Sequence, residues 1–212
     1  MANASQLSVV FLRHGLSTAN YDGVVQGQKD YPLHDQGIDQ ARRLSAYWSA
    51  QDRHFDRIVC SPLCRTRETA EILASALSTP IVEDPLWMER MLGEAEGSTY
   101  EQVRERLEAE QLRSSSYEPL FVNGESEWDL FNRAAKAVQS LLQSENNSCL
   151  VVSHGAFLSA TLRAILGIPP APGSLRPPGF RFENTGYTEM TFDRVAYRWQ
   201  MLYHNAHPHL EQ

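Results

Sequence analysis

Short apolar segments rich in β-branched and aromatic residues alternate along this chain with segments whose apolar residues recur at helical spacing. The apolar segments predict buried strands at 7–12, 57–60, 80–82, 149–152, 188–192 and 197–203. Three helices are predicted to begin at Asp35 as an N-cap, at Pro62, and at a capping box over 98–101. Two further helices are predicted over 128–144 and 157–166. Such alternation favours an α/β fold, a three-layer α/β/α sandwich with a mostly parallel central sheet.

Composition limits the classes of protein that remain. The 212 residues fit one domain over residues 1–212 and are short for two, because domains run roughly 100–200 residues. A hydrophobic share of 42 % and a charged share of 21 % exclude collagen-like and wholly disordered chains. The chain has 26 acidic against 19 basic residues and no long basic stripe, so no nucleic-acid partner is expected.

The sequence also predicts a cellular setting. It contains no apolar run of about 18 residues, so no membrane partner is expected. The first residues lack a charged region, and the apolar run at 7–12 is too short for a signal peptide. The three cysteines are an odd number without a Cys-x-x-Cys pair, which predicts reduced thiols in a cytoplasmic protein. The oligomeric state is left open, a homodimer included.

Two predicted strands end in a histidine followed by a glycine. The first strand runs into Arg13-His14-Gly15, and the strand at 149–152 runs into Ser153-His154-Gly155. The second strand delivers Arg65 to the same edge. In such sheets ligands bind beyond the carboxyl ends of the strands, and glycine lets a ligand approach the backbone closely. We therefore expect a site with two imidazoles and at least two guanidiniums.

These side chains suit a phosphoryl group. Arginine forks match phosphate oxygens bidentately, and imidazole is a competent nucleophile or acid–base group near neutral pH. A single His-Gly at a strand end is usually a structural histidine. Two of them on separate strands, one after Arg13 and one after Ser153, are much harder to explain in that way.

The segment Leu12-Arg13-His14-Gly15-Leu16-Ser17-Thr18-Ala19-Asn20 resembles the signature of the histidine phosphatase superfamily, in its phosphoglycerate mutase-like branch. Four further blocks resemble that family in the expected order: Ser61-Pro62-Leu63-Cys64-Arg65 with Thr69-Ala70-Glu71, Leu86 and Glu89 with Gly93-Glu94-Ala95-Glu96-Gly97, Gly124-Glu125-Ser126 with Arg133, and Ser153-His154-Gly155. Five ordered blocks carry the resemblance over most of the chain.

The resemblance implies that His14 is the nucleophile, which attacks phosphorus and becomes a phosphohistidine. Attack requires a neutral imidazole, and neighbouring cations disfavour its protonation. Arg13, Arg65 and His154 are expected to hold the phosphoryl oxygens and spread their charge. Gly155 is assigned to the same substrate-binding set.

The resemblance assigns smaller roles to two polar residues near the first histidine and the proton transfers to one carboxyl group. Asn20 and Ser17 are expected to donate additional hydrogen bonds, with plain turn chemistry as the alternative for both. Glu89 is expected to give a proton to the leaving alkoxide and later to take one from water. For Glu94 and Glu96 a solvated acidic loop is the preferred interpretation.

No metal and no cofactor are expected, because arginines supply the charge neutralisation that magnesium gives other phosphoryl-transfer enzymes. One cluster, His204, His207 and His209, resembles a metal site, but it lacks acidic neighbours at useful spacing.

Three residues depart from the family pattern. Ala95 stands where an aromatic residue is common, which predicts a wider or differently shaped pocket mouth. Glu68 stands where glutamine is common, and Arg67 is an additional cation nearby. Because Arg65 and Glu68 are three residues apart on a predicted helix, an ion pair between them is one hypothesis. These departures bear on substrate preference.

The leading prediction is a metal-independent phosphomonoesterase of the histidine acid phosphatase type, acting on a small phosphorylated metabolite. The alternative is a phosphoglycerate mutase dependent on 2,3-bisphosphoglycerate, but the segment at 101–123 is short and its Ser114-Ser115-Ser116 run would make a poor lid. A protein tyrosine phosphatase and an inactive phosphate-binding module are two lesser alternatives.

Overall fold

The computed structural model describes residues 5–109, 115–171 and 178–211. Within these residues six strands form one sheet in the order β3-β2-β4-β1-β5-β6. The strands are β1 (Gln6–Arg13), β2 (Arg57–Cys60), β3 (Ile81–Glu83), β4 (Ser148–Ser153), β5 (Tyr187–Asp193) and β6 (Arg198–Ala206). The first four are mutually parallel, whereas β5 and β6 are antiparallel additions at one edge.

Helices connect the strands. The described α-helices are α1 (Thr18–Tyr21), α2 (Asp35–Ser49), α3 (Cys64–Leu77), α4 (Tyr100–Ala109), α5 (Glu127–Leu142) and α6 (Gly155–Leu166). Short 3-10 helices occupy Pro85–Trp87, Gly93–Ala95 and Pro208–Leu210. None of the helices in the described ranges is long and apolar enough to cross a membrane.

The sheet separates two apolar cores, and β1 shows how. Its side chains alternate between faces: Leu7, Val9 and Phe11 pack with residues of α5 and α6. Val10 and Leu12 pack on the other face with residues of α2 and α3. Helices therefore cover both faces, and the predicted three-layer, mostly parallel fold is confirmed.

Two predicted helix starts were wrong by a small margin. The side chain that caps α2 belongs to His34 rather than Asp35, because His34 Nδ1 accepts a hydrogen bond from Gln36 N at 3.2 Å. The helix predicted from Pro62 begins at Cys64. Imidazole is an uncommon cap, which is why the preference for aspartate selected the wrong neighbour.

The capping box predicted for α4 is also shifted by one residue. Thr99 Oγ1 accepts a hydrogen bond from Gln102 N at 3.2 Å, and Gln102 Oε1 accepts one from Thr99 N at 2.9 Å. The box therefore uses Thr99 and Gln102 instead of Ser98 and Glu101. Both pairs satisfy the sequence pattern of a box, so the pattern could not choose between them.

Close backbone packing joins the loop after β1 to the start of α2. A Cβ at Gly15 would lie 2.5 Å from the carbonyl oxygen of Gly37. A Cβ at Gly37 would overlap the carbonyl oxygen of Leu16 and lie 2.7 Å from its nitrogen. Position 15 thus needs a residue without a side chain because the start of α2 packs against it. The sequence had suggested instead that a ligand approaches there.

We predict that Gly37→Ala destabilises the protein although alanine is the better helix former. In an unhindered helix this substitution favours folding by about 1 kcal/mol. Here the added methyl group meets backbone atoms of Leu16, which cannot move aside without disturbing the loop after β1. We expect urea titration to show a loss of about 1–3 kcal/mol in the free energy of unfolding.

Gly179→Ala is the matched control, because the nearest atom to its added Cβ is Ser159 Oγ at 4.0 Å. We expect its free energy of unfolding to stay within about 0.5 kcal/mol of the unsubstituted protein. A Gly37→Ala variant as stable as this control would contradict the prediction.

Candidate active site

Strand pairing places His14 and His154 side by side. β1 and β4 are parallel neighbours in which Arg13 is opposite Ser153. The ladder continues one step beyond the strands, since His14 N donates to Ser153 O at 3.0 Å. The two imidazole ring centroids are 5.1 Å apart, with their planes at 63°. The prediction that both histidines leave the sheet at its carboxyl edge is confirmed.

The surroundings of His14 favour a neutral imidazole with a free nitrogen. Nδ1 lies 2.7 Å from Gly15 O, and because a carbonyl oxygen only accepts hydrogen bonds, this contact assigns the proton to Nδ1. Nε2 then carries the lone pair. Burial, with the charges of Arg65 and Arg13, holds the pKa of His14 well below its usual range.

Arg65 is held in place from three directions. Its Nη1 donates to Lys29 O at 3.0 Å and its Nη2 to Gly27 O at 2.9 Å. Its Nε donates to His154 Nδ1 at 3.2 Å. The ion pair hypothesised between Arg65 and Glu68 is not formed, because Glu68 Oε2 accepts instead from Leu33 N at 2.9 Å.

His154 is fully buried behind Arg65. Because its Nδ1 accepts from Arg65, Nε2 carries the proton, and that nitrogen lies 2.9 Å from Ser61 Oγ. Burial, followed by the charge of Arg65, lowers the pKa of His154 well below its usual range. In this arrangement both ring nitrogens have protein partners. Direct donation from His154 to a phosphoryl oxygen stays a prediction.

Arg13 supplies the second guanidinium. Its Nη1 donates to Phe182 O at 2.7 Å, and a Cβ at Gly155 would lie 3.6 Å from its Nε. Nε has no hydrogen-bond partner in the described structure. Arg13 and Arg65 therefore place two positive charges beside neutral imidazoles, which is an arrangement suited to a phosphoryl dianion.

The carboxylate of Glu89 lies at the first turn of α6. Oε1 accepts from Phe157 N at 3.0 Å and from Arg90 N at 2.8 Å, and Oε2 accepts from Ala156 N at 3.3 Å. The orphan amides of a helix start are natural partners for an anion. These contacts bring Glu89 to the edge at which His14 emerges.

Arg133 holds the Glu89 segment from behind. Its Nη1 donates to Met88 O at 2.6 Å and its Nη2 to Glu89 O at 3.1 Å. Its Nε and Nη2 also form a bidentate pair with Glu125, with both distances 2.7 Å. The sequence block that contains Glu125 and Arg133 thus serves to position Glu89.

Ser17 and Asn20 form a reciprocal capping box at α1. Ser17 is fully buried, and its hydroxyl donates to Gln26 Oε1 at 2.8 Å. Asn20 Oδ1 accepts weakly from Asn184 Nδ2 at 3.4 Å. Asn20 lines the cavity beside His14, whereas Ser17 is not among its described lining residues, so the contacts of Ser17 follow the turn-chemistry alternative.

The cavity beside His14, named the catalytic cavity for the role expected of it, has a volume of about 230 Å³. Six residues proposed from the sequence line it: Arg13, His14, Asn20, Arg65, Glu89 and Gly155. This volume is smaller than the roughly 300–1,000 Å³ of pockets that take drug-sized ligands. The cavity therefore suits a small ligand.

Sequence reasoning missed several residues that line the cavity. Gln26 and Gly27 come from the loop after α1, Tyr100 begins α4, and Arg90 and Leu92 follow Glu89. Arg90 could have been found from the sequence, because it directly follows Glu89, a predicted catalytic residue. The remaining four carried no such signal, because their loops meet the sheet edge only after folding.

The departures from the family pattern lie outside the catalytic cavity. Ala95 is buried in a 3-10 helix and is not part of the described lining, so its effect on the pocket mouth stays a prediction. Arg67 forms a loose surface pair with Glu71 at 3.9 Å.

Glu96 Oε1 binds two loop amides, Gln28 N at 3.0 Å and Leu92 N at 2.9 Å, which corrects its interpretation as a merely solvated side chain.

The three histidines near the C-terminus have separate partners. His204 Nδ1 contacts Thr188 Oγ1 at 2.7 Å, and His207 Nδ1 contacts Asn205 O at 3.1 Å. His209 Nε2 contacts Thr185 Oγ1 at 2.9 Å. Across the described ranges, no group of three or more histidine, cysteine, aspartate or glutamate side chains is arranged to hold a metal ion.

This site and fold agree with the similarity of the chain to known proteins. The sequence profile of the histidine phosphatase superfamily (branch 1) matches residues 9–206. The chain belongs to that superfamily.

Particular relatives carry two kinds of name. The chain is 31 % identical over 204 residues to "Uncharacterized phosphatase PhoE" of Bacillus subtilis, covering 96 % of each protein. It is 34 % identical over 166 residues to "Probable phosphoglycerate mutase GpmB" of Escherichia fergusonii, covering 77 % of this chain and 76 % of the relative. The solved structure of Bacillus stearothermophilus YhfR aligns with a TM-score of 0.81 at 26 % identity, covering 96 % of this chain and 99 % of that one.

The buried histidines predict acid sensitivity of the fold. His14 and His154 stay neutral in the folded protein because their pKa values are lowered, whereas in the unfolded chain histidine takes up a proton below about pH 6.5. The unfolded state then binds more protons, so stability falls as the pH falls. We expect each to contribute up to about 1.4 kcal/mol per pH unit below about pH 6.5.

Urea titration of the unsubstituted protein and of His14→Asn between about pH 7.5 and 5.5 checks this slope. His14→Asn removes a histidine whose pKa is lowered, and with it that residue's share of the change in stability with pH. The carboxylates contribute equally in both proteins. Identical slopes in the two proteins would show that His14 is protonated to the same extent in the folded and unfolded states.

Proposed function

We propose that the protein is a metal-independent phosphomonoesterase that hydrolyses a small phosphorylated metabolite through a phosphohistidine on His14. The observation that carries the proposal is the free Nε2 of a neutral His14, at a cavity also lined by Arg13 and Arg65. The cytoplasmic setting predicted from the sequence belongs to the same proposal.

In the first step Nε2 of His14 attacks phosphorus, and the bond from phosphorus to the ester oxygen breaks. Positive charge develops on the imidazole, and the hydrogen bond from Nδ1 to Gly15 O stabilises it. Arg13 and Arg65 hold the non-bridging oxygens, with His154 keeping Arg65 in position. Glu89 in its acid form gives its proton to the departing alkoxide.

In the second step water attacks the phosphohistidine. Glu89, now a carboxylate, takes one proton from that water, and the bond between nitrogen and phosphorus breaks. The products are inorganic phosphate, neutral His14 and protonated Glu89, so the cycle closes. The arginines supply the charge neutralisation throughout, and the proposal needs no metal or cofactor.

A mutase reaction is the second candidate, because several relatives are named probable phosphoglycerate mutases. A mutase returns the phosphoryl group to another hydroxyl of the substrate and must keep water away from the phosphohistidine. The predicted poor lid includes Ser114, which lies outside the described residues. The test below therefore separates the two reactions by their products.

The test is phosphate release, with a chelator present, from a panel of phosphorylated metabolites and an aryl phosphate. 3-Phosphoglycerate is assayed with and without 2,3-bisphosphoglycerate, and 2-phosphoglycerate is measured as well. We expect free phosphate without metal or primer. Isomerisation that requires the primer would replace the proposal by the mutase, and release from phosphotyrosine peptides alone would replace it by a protein phosphatase.

His14→Ala is the control for this assay. We expect its turnover to fall at least about 10³-fold, and brief incubation with labelled substrate followed by a denaturing quench should label the unsubstituted protein only. Circular dichroism establishes whether the variant is folded. Turnover retained in a folded variant would rule out the phosphohistidine, and turnover absent from both proteins would favour the inactive phosphate-binding module.

Glu89→Gln tests the proton transfer. An alkyl phosphate has a poor leaving group and needs the acid, so we expect its kcat to fall by roughly 10²–10⁴-fold. An aryl phosphate has a better leaving group, and its phosphorylation step should slow far less in single-turnover kinetics. Glu94→Gln is the matched control, since Glu94 is a half-exposed carboxylate paired with Arg106 at 3.4 Å. Equal slowing of both esters would remove Glu89 from the acid role.

A further inference from the structure

A second cavity adjoins the catalytic one. Its volume is about 200 Å³. Arg90 and Ala156 line both cavities, and Glu127, Ser159 and Arg163 line the second. A group attached to a phosphoryl ester in the first cavity is therefore within reach of the second.

Arg163 is buried in this second cavity without a full set of partners. The residue is only 3 % exposed. Its Nη2 donates to Glu127 Oε2 at 3.2 Å. Its Nε and Nη1 have no hydrogen-bond partner anywhere in the described ranges. Leaving such donors unpaired in a buried place is costly, so these two nitrogens favour a ligand with acceptor oxygens.

Glu127 does not neutralise this region. Its Oε1 pairs with Arg90 and its Oε2 with Arg163, so two guanidiniums share one carboxylate. Among the described residues that line this cavity, one positive charge is therefore in excess. Buried charges are stabilised by a partner of opposite sign, and the missing partner is an anion.

Arg133 shows how a purely structural arginine looks in this protein. All three of its guanidinium nitrogens donate, to Glu125 and to backbone carbonyls of the 86–89 segment. Arg163, on the neighbouring helix, is more deeply buried, yet in the described structure it uses one nitrogen only. The difference favours a binding role for Arg163 over a structural one.

Helix α6 connects the two cavities. Ala156, Ser159 and Arg163 are spaced three and four residues apart, so they share one helix face. Their Cα atoms span about 10 Å from Ala156 to Arg163, and helical side chains lean toward the N-terminus, which here is the catalytic end. Ser159 Oγ accepts from Phe180 N at 2.9 Å, which leaves its hydroxyl proton free for a ligand oxygen.

We propose that Arg163, with Ser159, forms a subsite for a second anionic group of the substrate. The preferred substrates are then phosphomonoesters that also carry a carboxylate or a second phosphate a few bonds from the ester. This inference rests on the proposed function, because it assumes that the phosphoryl ester binds in the catalytic cavity. It makes Arg163 a specificity-determining residue rather than a catalytic one.

The test uses pairs of substrates that differ only in the second charge. A series of phosphoryloxy-alkanoates of increasing chain length is compared with the corresponding primary amides, which have the same shape. Bisphosphorylated alkanediols and their monophosphates test a second phosphate in place of a carboxylate. We expect kcat/KM to favour the anionic member by roughly 10–100-fold at the best chain length, as expected for a hydrogen bond to a charged group.

Arg163→Met should reduce that preference to within about two-fold, and Arg163→Lys should retain part of it because the charge stays. Arg198→Met on the exposed edge strand β6 is the matched control for losing one positive charge, and it should keep the full preference. An unchanged preference in Arg163→Met, or no preference in the unsubstituted protein at any chain length, would overturn the proposal. If Arg163→Met does not fold, Arg163→Lys and Ser159→Ala carry the same comparison.

Binding to the His14→Ala variant separates this inference from the proposed function. Calorimetry of that variant with each anionic compound and its neutral partner needs no turnover. The comparison is between His14→Ala and the double variant that also carries Arg163→Met. If only the first binds the anionic compound more tightly than its neutral partner, the subsite is established even where no phosphate is released. Turnover without any binding preference establishes the phosphatase and rejects the subsite.

Discussion

The site depends on one register, the parallel pairing of β1 with β4 in which Arg13 lies opposite Ser153. Because side chains alternate along a strand, a shift of one residue would turn the ends of these strands to opposite faces. With the observed register, His14 and His154 emerge together with their rings 5.1 Å apart. β2, the other neighbour of β4, brings the chain to Arg65 at the same edge.

Burial then decides the chemistry of these groups. The two imidazoles lose their solvent and face guanidiniums, so their pKa values are lowered and they stay neutral. The guanidiniums stay charged, because arginine does not release its proton in proteins. A neutral nucleophile beside fixed positive charge is what attack on a phosphoryl dianion requires. The same burial leaves Arg163 with nitrogens that have no partner among the described residues of the adjoining cavity. One physical effect therefore underlies both the proposed catalytic site and the proposed subsite.

Much of this arrangement was predictable, and the parts that were not share a cause. Strand periodicity and the His-Gly motifs placed His14 and His154 correctly, because residues next to each other in sequence stay next to each other at a strand end. Helical spacing made an Arg65–Glu68 pair one hypothesis, yet Glu68 binds Leu33 N and Arg65 binds carbonyls of the loop after α1. Helical spacing brings side chains within reach of each other, but it cannot say which competing partner a distant loop supplies.

The sequence by itself determined the order of strands and helices along the chain and the resemblance to the family. It also determined that His14, Arg65 and His154 follow strand ends at the carboxyl edge of the sheet. Those features follow from local periodicity and from motifs that are contiguous in the chain. Only the tertiary structure decided that Arg133 holds the Glu89 segment and that Arg163 lies beside the catalytic cavity. Each depends on contacts between residues far apart in sequence, and which of those contacts form is decided by how the helices pack on the sheet.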